Sequence, residues 1–146
     1  MIYAELHCHS YYSFHDGASS LEELLQKAQD FDYKALALTD HDNLCAAMRF
    51  AQLAPTYSIQ AIIGAELALT GGAHITLLAK DQAGYRNLCR LVTAAHNSDE
   101  RDKPELPRTL LAEHASGLIA LSGCPRGDLS QSLSGGSGAQ TQEVAK

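Results

Sequence analysis

The feature that most constrains this chain is a recurring alternation. Short apolar runs of strand length are each followed by a stretch whose apolar residues return at helical spacing. Ala35–Thr39 (ALALT) is the clearest run and reads as a buried strand. Before it, Ser20 and Glu23 have the spacing of a capping box, and Leu21, Leu24, Leu25, Ala28 and Phe31 fall on one helical face. Tyr3–His7 alternates in character and predicts a first strand, and a second helix is expected from about Leu44 to Ala54, stopping at Pro55. Residues 60–69 (QAIIGAELAL) predict another strand, broken by Gly71-Gly72 before His74–Ala79. A third helix starts near Asp81 and turns Tyr85, Leu88, Cys89 and Val92 inward. A charged, Pro-containing loop over 97–108, a short helix and the strand Leu118–Leu121 follow.

Alternation of this kind implies parallel pairing through crossover helices, in an open doubly wound sheet or a barrel. The count comes to about five strands, short of a closed barrel and with an open sheet edge that favours poor solubility. Residues 1–133 are expected to form the domain, and 134–146, opening on the Gly/Ser-rich SGGSG, a flexible tail or an interrupted helix. At 146 residues the chain is long enough for one domain with its own core. A net charge of −6 argues against a free-standing, charge-driven nucleic-acid binder. The four cysteines form no CxxC pair, and neither a signal peptide nor a membrane span is visible, so the expected compartment is the cytoplasm.

The chemistry-bearing residues gather at predicted strand ends. In His7-Cys8-His9 the two imidazoles, two residues apart on a strand, face one point while Cys8 faces away. They read either as a pair of metal ligands or as ordinary hydrogen-bonded histidines. Thr39-Asp40-His41-Asp42 follows ALALT, where parallel sheets build active sites. Here His41 reads as a ligand with a neighbouring Asp orienting it, while Asp40, Asp42 or Asn43 can equally cap the next helix. Glu66 lies inside an apolar run. It is either buried beside a cation or on the wet face of an edge strand. Asp16 sits in an Asp-Gly turn after the first strand, and Cys124 follows Leu118–Leu121. Cys45 and Cys89 read as core, and His96 and His114 carry no assigned chemistry. So many mixed N, O and S donors exceed one tetrahedral zinc. They suit two or three ions acting on a phosphoester.

HCHSYYSFHDGAS, ALALTDHDNL, IIGAEL, HITLLAKDQAGYRNLCRL and GLIALSGC, in this order, resemble the PHP (polymerase and histidinol phosphatase) domain. More narrowly they resemble the N-terminal PHP domain of bacterial C-family DNA polymerases of the DNA polymerase III α type, with YAELHCHS and GYRNLCRL pointing to the error-prone branch. The resemblance covers residues 1 to about 133 and does not reach a polymerase palm. It implies an α/β fold, the N-terminal part of a distorted (β/α)7 barrel, binding up to three divalent ions, zinc or manganese. The implied ligands are His7, His9, Asp16, His41, Glu66, His74 and Cys124, with Asp40 acting behind them. The family's later Asp-x-His pair is absent from this sequence. The implied function is a metal-dependent phosphoesterase site, in some members a 3′–5′ proofreading nuclease, within a polymerase whose implied partners are DNA and other replication or repair subunits. A stand-alone phosphoesterase of histidinol-phosphatase type and a metal-free interaction module are the alternatives. The soft Cys124 thiolate favours zinc or manganese over magnesium.

Overall fold

The computed structural model describes residues 3–97, 103–122, 127 and 130. A single five-stranded sheet, curled like part of a barrel wall, runs in the order β1-β2-β3-β4-β5, which is also the order in the chain. The strands are β1 (Ala4–Glu5), β2 (Ala35–Leu38), β3 (Gln60–Ala68), β4 (His74–Ala79) and β5 (Leu118–Leu121). The helices are α1 (Leu21–Asp30), α2 (Ala47–Leu53), continued by a 3-10 turn over Ala54–Tyr57, then α3 (Gln82–His96) and α4 (Arg108–Glu113).

The predicted capping box forms: the Ser20 hydroxyl accepts from Glu23 N–H, and the Glu23 carboxylate accepts from Ser20 N–H at 2.8 Å. It starts α1 at Leu21, whose apolar face buries Leu21, Leu25 and Ala28. Their cluster with Leu36, Leu38, Phe50, Ala54 and Ile59 forms one core. A second core packs Ala65 and Leu67 of β3 and Leu77 of β4 under Leu88, Leu91 and Ala95 of α3. The expected inward set on α3 is therefore corrected. Leu88 is buried and Val92 packs partly buried against this core, as expected, but Tyr85 is 38 % exposed, and Leu91 and Ala95 join the packing. The buried stripe is Gly84, Leu88, Leu91 and Ala95, which places Tyr85 beside it rather than within it.

Parallel pairing holds for only half of the sheet. β1, β2 and β3 are parallel, whereas β3–β4 and β4–β5 are antiparallel. The reason lies in the turn: Gly71 and Gly72 take φ of +98° and +89°, which closes a tight hairpin between Ala68 and His74. A connection that short can join only antiparallel neighbours. The charged loop also does more than connect, because Leu106 is fully buried in the second core and its N–H donates to Ala68 O at 2.8 Å. The first strand is shorter than Tyr3–His7, and α2 begins at Ala47 without a side-chain cap. None of Asp40, Asp42 and Asn43 therefore caps that helix. Asp42 Oδ1 accepts from Ala68 N–H and Asn43 Oδ1 from Cys45 N–H.

Candidate metal centre

β3 is a central strand, flanked by β2 and β4, and Glu66 on it is fully buried. The wet-edge reading of this carboxylate is thus excluded. Alternation along β3 sends Ala65 and Leu67 into the helix-covered core and Glu66 to the opposite face. Its backbone is gripped by the end of β2: Glu66 N–H donates to Asp40 O at 3.2 Å, and Asp42 N–H donates to Glu66 O at 2.8 Å. The bridge His41↔Glu66 continues the β2–β3 register, so His41 arrives beside the carboxylate by strand geometry alone.

Four imidazoles surround Glu66. His7 Nε2 contacts Oε2, and His9 Nε2 lies 3.3 Å from the same oxygen. His74 Nδ1 is 2.7 Å from Oε1, and His41 Nδ1 is 3.8 Å from it. His7 and His9 follow β1 in a segment that still runs beside β2, since Thr39 N–H donates to Cys8 O at 2.9 Å. Cys8 faces the other way and packs on the first core, as the alternation predicts. Burial there pushes its thiol up to about 11. Asp16 Oδ2 lies 2.7 Å from His41 Nε2 and 3.3 Å from His9 Nδ1.

The electrostatics follow from this packing. Burial by itself raises the Glu66 pKa, but the imidazoles of His9, His74 and His7 outweigh it and hold the carboxyl well below its usual range. For His9 burial disfavours the charged ring, and the carboxylates of Glu66, Asp16 and Asp40 reverse that to a net rise. His9 Nε2 is buried and makes no hydrogen bond of ordinary geometry. A buried nitrogen in that state, aimed at a carboxylate, is the donor arrangement a cation completes.

The donors fall into three overlapping groups: His7, His9 and Glu66; His9, Asp16 and His41; His41, Glu66 and His74. Within each group the donor atoms lie within 4.8 Å of one another. Each pair of groups shares one residue, His9, His41 or Glu66, so the three close into a ring. The structure thus brings together six of the sequence-predicted residues. Cys124 lies outside the described residues.

Asp40 is buried and touches none of these side chains directly. Its carboxylate accepts from Ser10 N–H (2.7 Å), Ser10 Oγ–H (2.8 Å) and Ser13 Oγ–H (2.7 Å), fastening the loop that carries Asp16. Ser10 and Ser13 were not singled out from the sequence. The available signal was a hydroxyl immediately after His-x-His and another three residues on. His96 Nε2 meets Asp42 O at 2.6 Å and takes no part in the cluster.

Among solved structures, a two-domain protein from Bacteroides vulgatus containing a predicted PHP-like metal-dependent phosphoesterase matches with a TM-score of 0.64 at 14 % identity, covering 97 % of this chain and 40 % of that one. The architecture is therefore that of the PHP-like α/β proteins. The chain belongs to the PHP domain family, whose sequence profile matches residues 5–146. It is 43 % identical to the error-prone DNA polymerase of Symbiobacterium thermophilum, covering 100 % of this chain and 15 % of that protein. It is 39 % identical to the DNA polymerase III subunit alpha of Treponema pallidum, covering 100 % of this chain and 14 % of that protein. The chain thus spans about one seventh of these relatives' length. No helix among the described residues is long and apolar enough to cross a membrane.

Proposed function

We propose that this chain supplies the metal-dependent phosphoesterase site of a DNA polymerase III α-type protein. In this reading His7, His9, Asp16, His41, Glu66 and His74, together with Cys124, hold up to three divalent ions, zinc or manganese. The carrying observation is the closed ring of three donor groups sharing His9, His41 and Glu66. Bound divalent ions supply Lewis-acid polarisation of a phosphoryl oxygen and a nucleophile near neutral pH. The protein's own part is preorganisation. Glu66 stays anionic where two of the three donor groups meet, and Asp16 and Glu66 counter the positive charge. Asp40 holds the Asp16 loop in place through Ser10 and Ser13.

The substrate class is a DNA phosphodiester, and the reaction 3′–5′ hydrolysis of a strand end, in keeping with the polymerase relatives. The proposed domain is residues 1–133, and the proposed location is the cytoplasm, where the parent polymerase meets DNA. The test is metal content after dialysis, measured by mass spectrometry, beside chelator-sensitive shortening of a 5′-labelled single strand. Retained zinc or manganese that falls in His9→Ala and Glu66→Gln supports the reading. Protein that takes up neither ion overturns it.

A further inference from the structure

Phe14 is 84 % exposed, the most exposed large apolar side chain among the described residues. It makes no ring or cation contact there, unlike exposed Phe31, which has Tyr33 beside it and the Lys27 ammonium 5.3 Å from its ring centre. Its position in the fold is nevertheless tightly fixed. Ser13, just before it, accepts from His41 N–H at 3.0 Å, and Asp16, just after His15, lies 2.7 Å from His41 Nε2. Phe14 therefore stands at the rim of the metal centre, bracketed by two residues that touch the same histidine.

The loop is braced from within. Ser13 N–H donates to Ser10 O, Gly17 N–H to Ser13 O and Tyr11 N–H to Ser19 O, at 2.8–2.9 Å. Gly17 presses on Ser10 so closely that a Cβ there would lie 1.9 Å from Ser10 O. His15 takes φ of +65°, a left-handed conformation that costs a non-glycine residue about 1 kcal/mol and persists where the surroundings fix it. A rigid loop holding an apolar ring out to water recovers nothing from that ring in the free protein.

We infer that Phe14 is a base-stacking residue, taking the nucleobase attached to the phosphate that the metal centre binds. The inference rests on the phosphoesterase reading and adds the substrate's recognition element to it. A planar heteroaromatic base offers a flat face on which an exposed phenyl ring carried by a braced loop can stack. A base also lies one sugar away from its phosphate, within reach of the rim.

The test is fluorescence anisotropy with dye-labelled oligothymidylate and with an abasic sugar-phosphate oligomer of the same length, on manganese-loaded protein whose metal content is measured in parallel. Wild type binds the thymidylate more tightly. Phe14→Ala loses that preference, roughly 5- to 100-fold, with metal content unchanged, and Phe14→Trp restores it. Equal binding of both oligomers by wild type, or a preference that survives Phe14→Ala, overturns the inference. Metal uptake without base preference sinks only the stacking role, whereas base preference without metal uptake sinks the phosphoesterase reading and, with it, the placing of that base beside a metal-bound phosphate. Exposure of Phe14 makes both variants expected to fold, which a thermal melt checks.

Discussion

Ser13 and Asp40 are joined by a 2.7 Å hydrogen bond between the loop after β1 and the end of β2, with both residues buried. The same Ser13 oxygen accepts from His41 N–H, so one hydroxyl ties the loop to the strand end that carries a site histidine. Removing it leaves a carboxylate oxygen short of a donor where water is excluded. Ser13→Ala is expected to cost about 2 kcal/mol in urea unfolding, the range for hydrogen bonds to charged groups. A loss below a few tenths would mean that water replaces the hydroxyl.

Gly17→Ala attacks the same loop from its other side. Its new methyl would meet backbone, the Ser10 carbonyl at 1.9 Å, and backbone cannot rotate away as a flexible side chain can. The expected penalty is about 1–3 kcal/mol, accompanied by weaker metal uptake because Asp16 sits on the displaced segment. Unchanged melting temperature together with unchanged metal content would contradict the packing described here.

Metal removal is expected to lower stability, since an ion that binds the folded chain and not the unfolded one stabilises it by mass action. At a free metal concentration one hundred times Kd the gain is about 2.7 kcal/mol. Calorimetry with and without chelator should show that difference in wild type. It should shrink in Glu66→Gln, which weakens all donor groups that share this carboxylate. Equal chelator shifts in both proteins would remove Glu66 from the ligand set.

The α1 capping box gives a pH-dependent signature far from the histidines. The Ser20 backbone N–H, then its hydroxyl, hold the Glu23 carboxyl below its ordinary 4.5. A folded value lower than the unfolded one contributes stability above the unfolded pKa, and that stability is lost as pH falls through the folded value. Glu23→Gln should therefore melt slightly below wild type at pH 7, and the two should converge as the pH falls through the lowered folded value. Ser20→Ala, which deletes the cap itself, should cost about 1 kcal/mol at pH 7. A Glu23→Gln difference that grows on acidification would contradict the cap geometry.

Much of this architecture was legible in local pattern. The capping box at Ser20, the bounds of β4 and β5 and the split between Cys8 and its flanking histidines all follow from periodicities of two and 3.6 residues. Those periodicities state which face a side chain takes, and so they alone place His7 and His9 together. They do not state what stands opposite. Glu66 and His7 are 59 residues apart, and Asp40 and Ser13 are 27, so whether the carboxylate was wet or buried, and what Asp40 was for, depended on strand order and register. Tertiary structure also drew Leu106 from a charged loop into the core. Local sequence sets faces and caps because those interactions close within a turn or a strand. Burial and hydrogen-bond partnership are settled only when distant segments exclude water together.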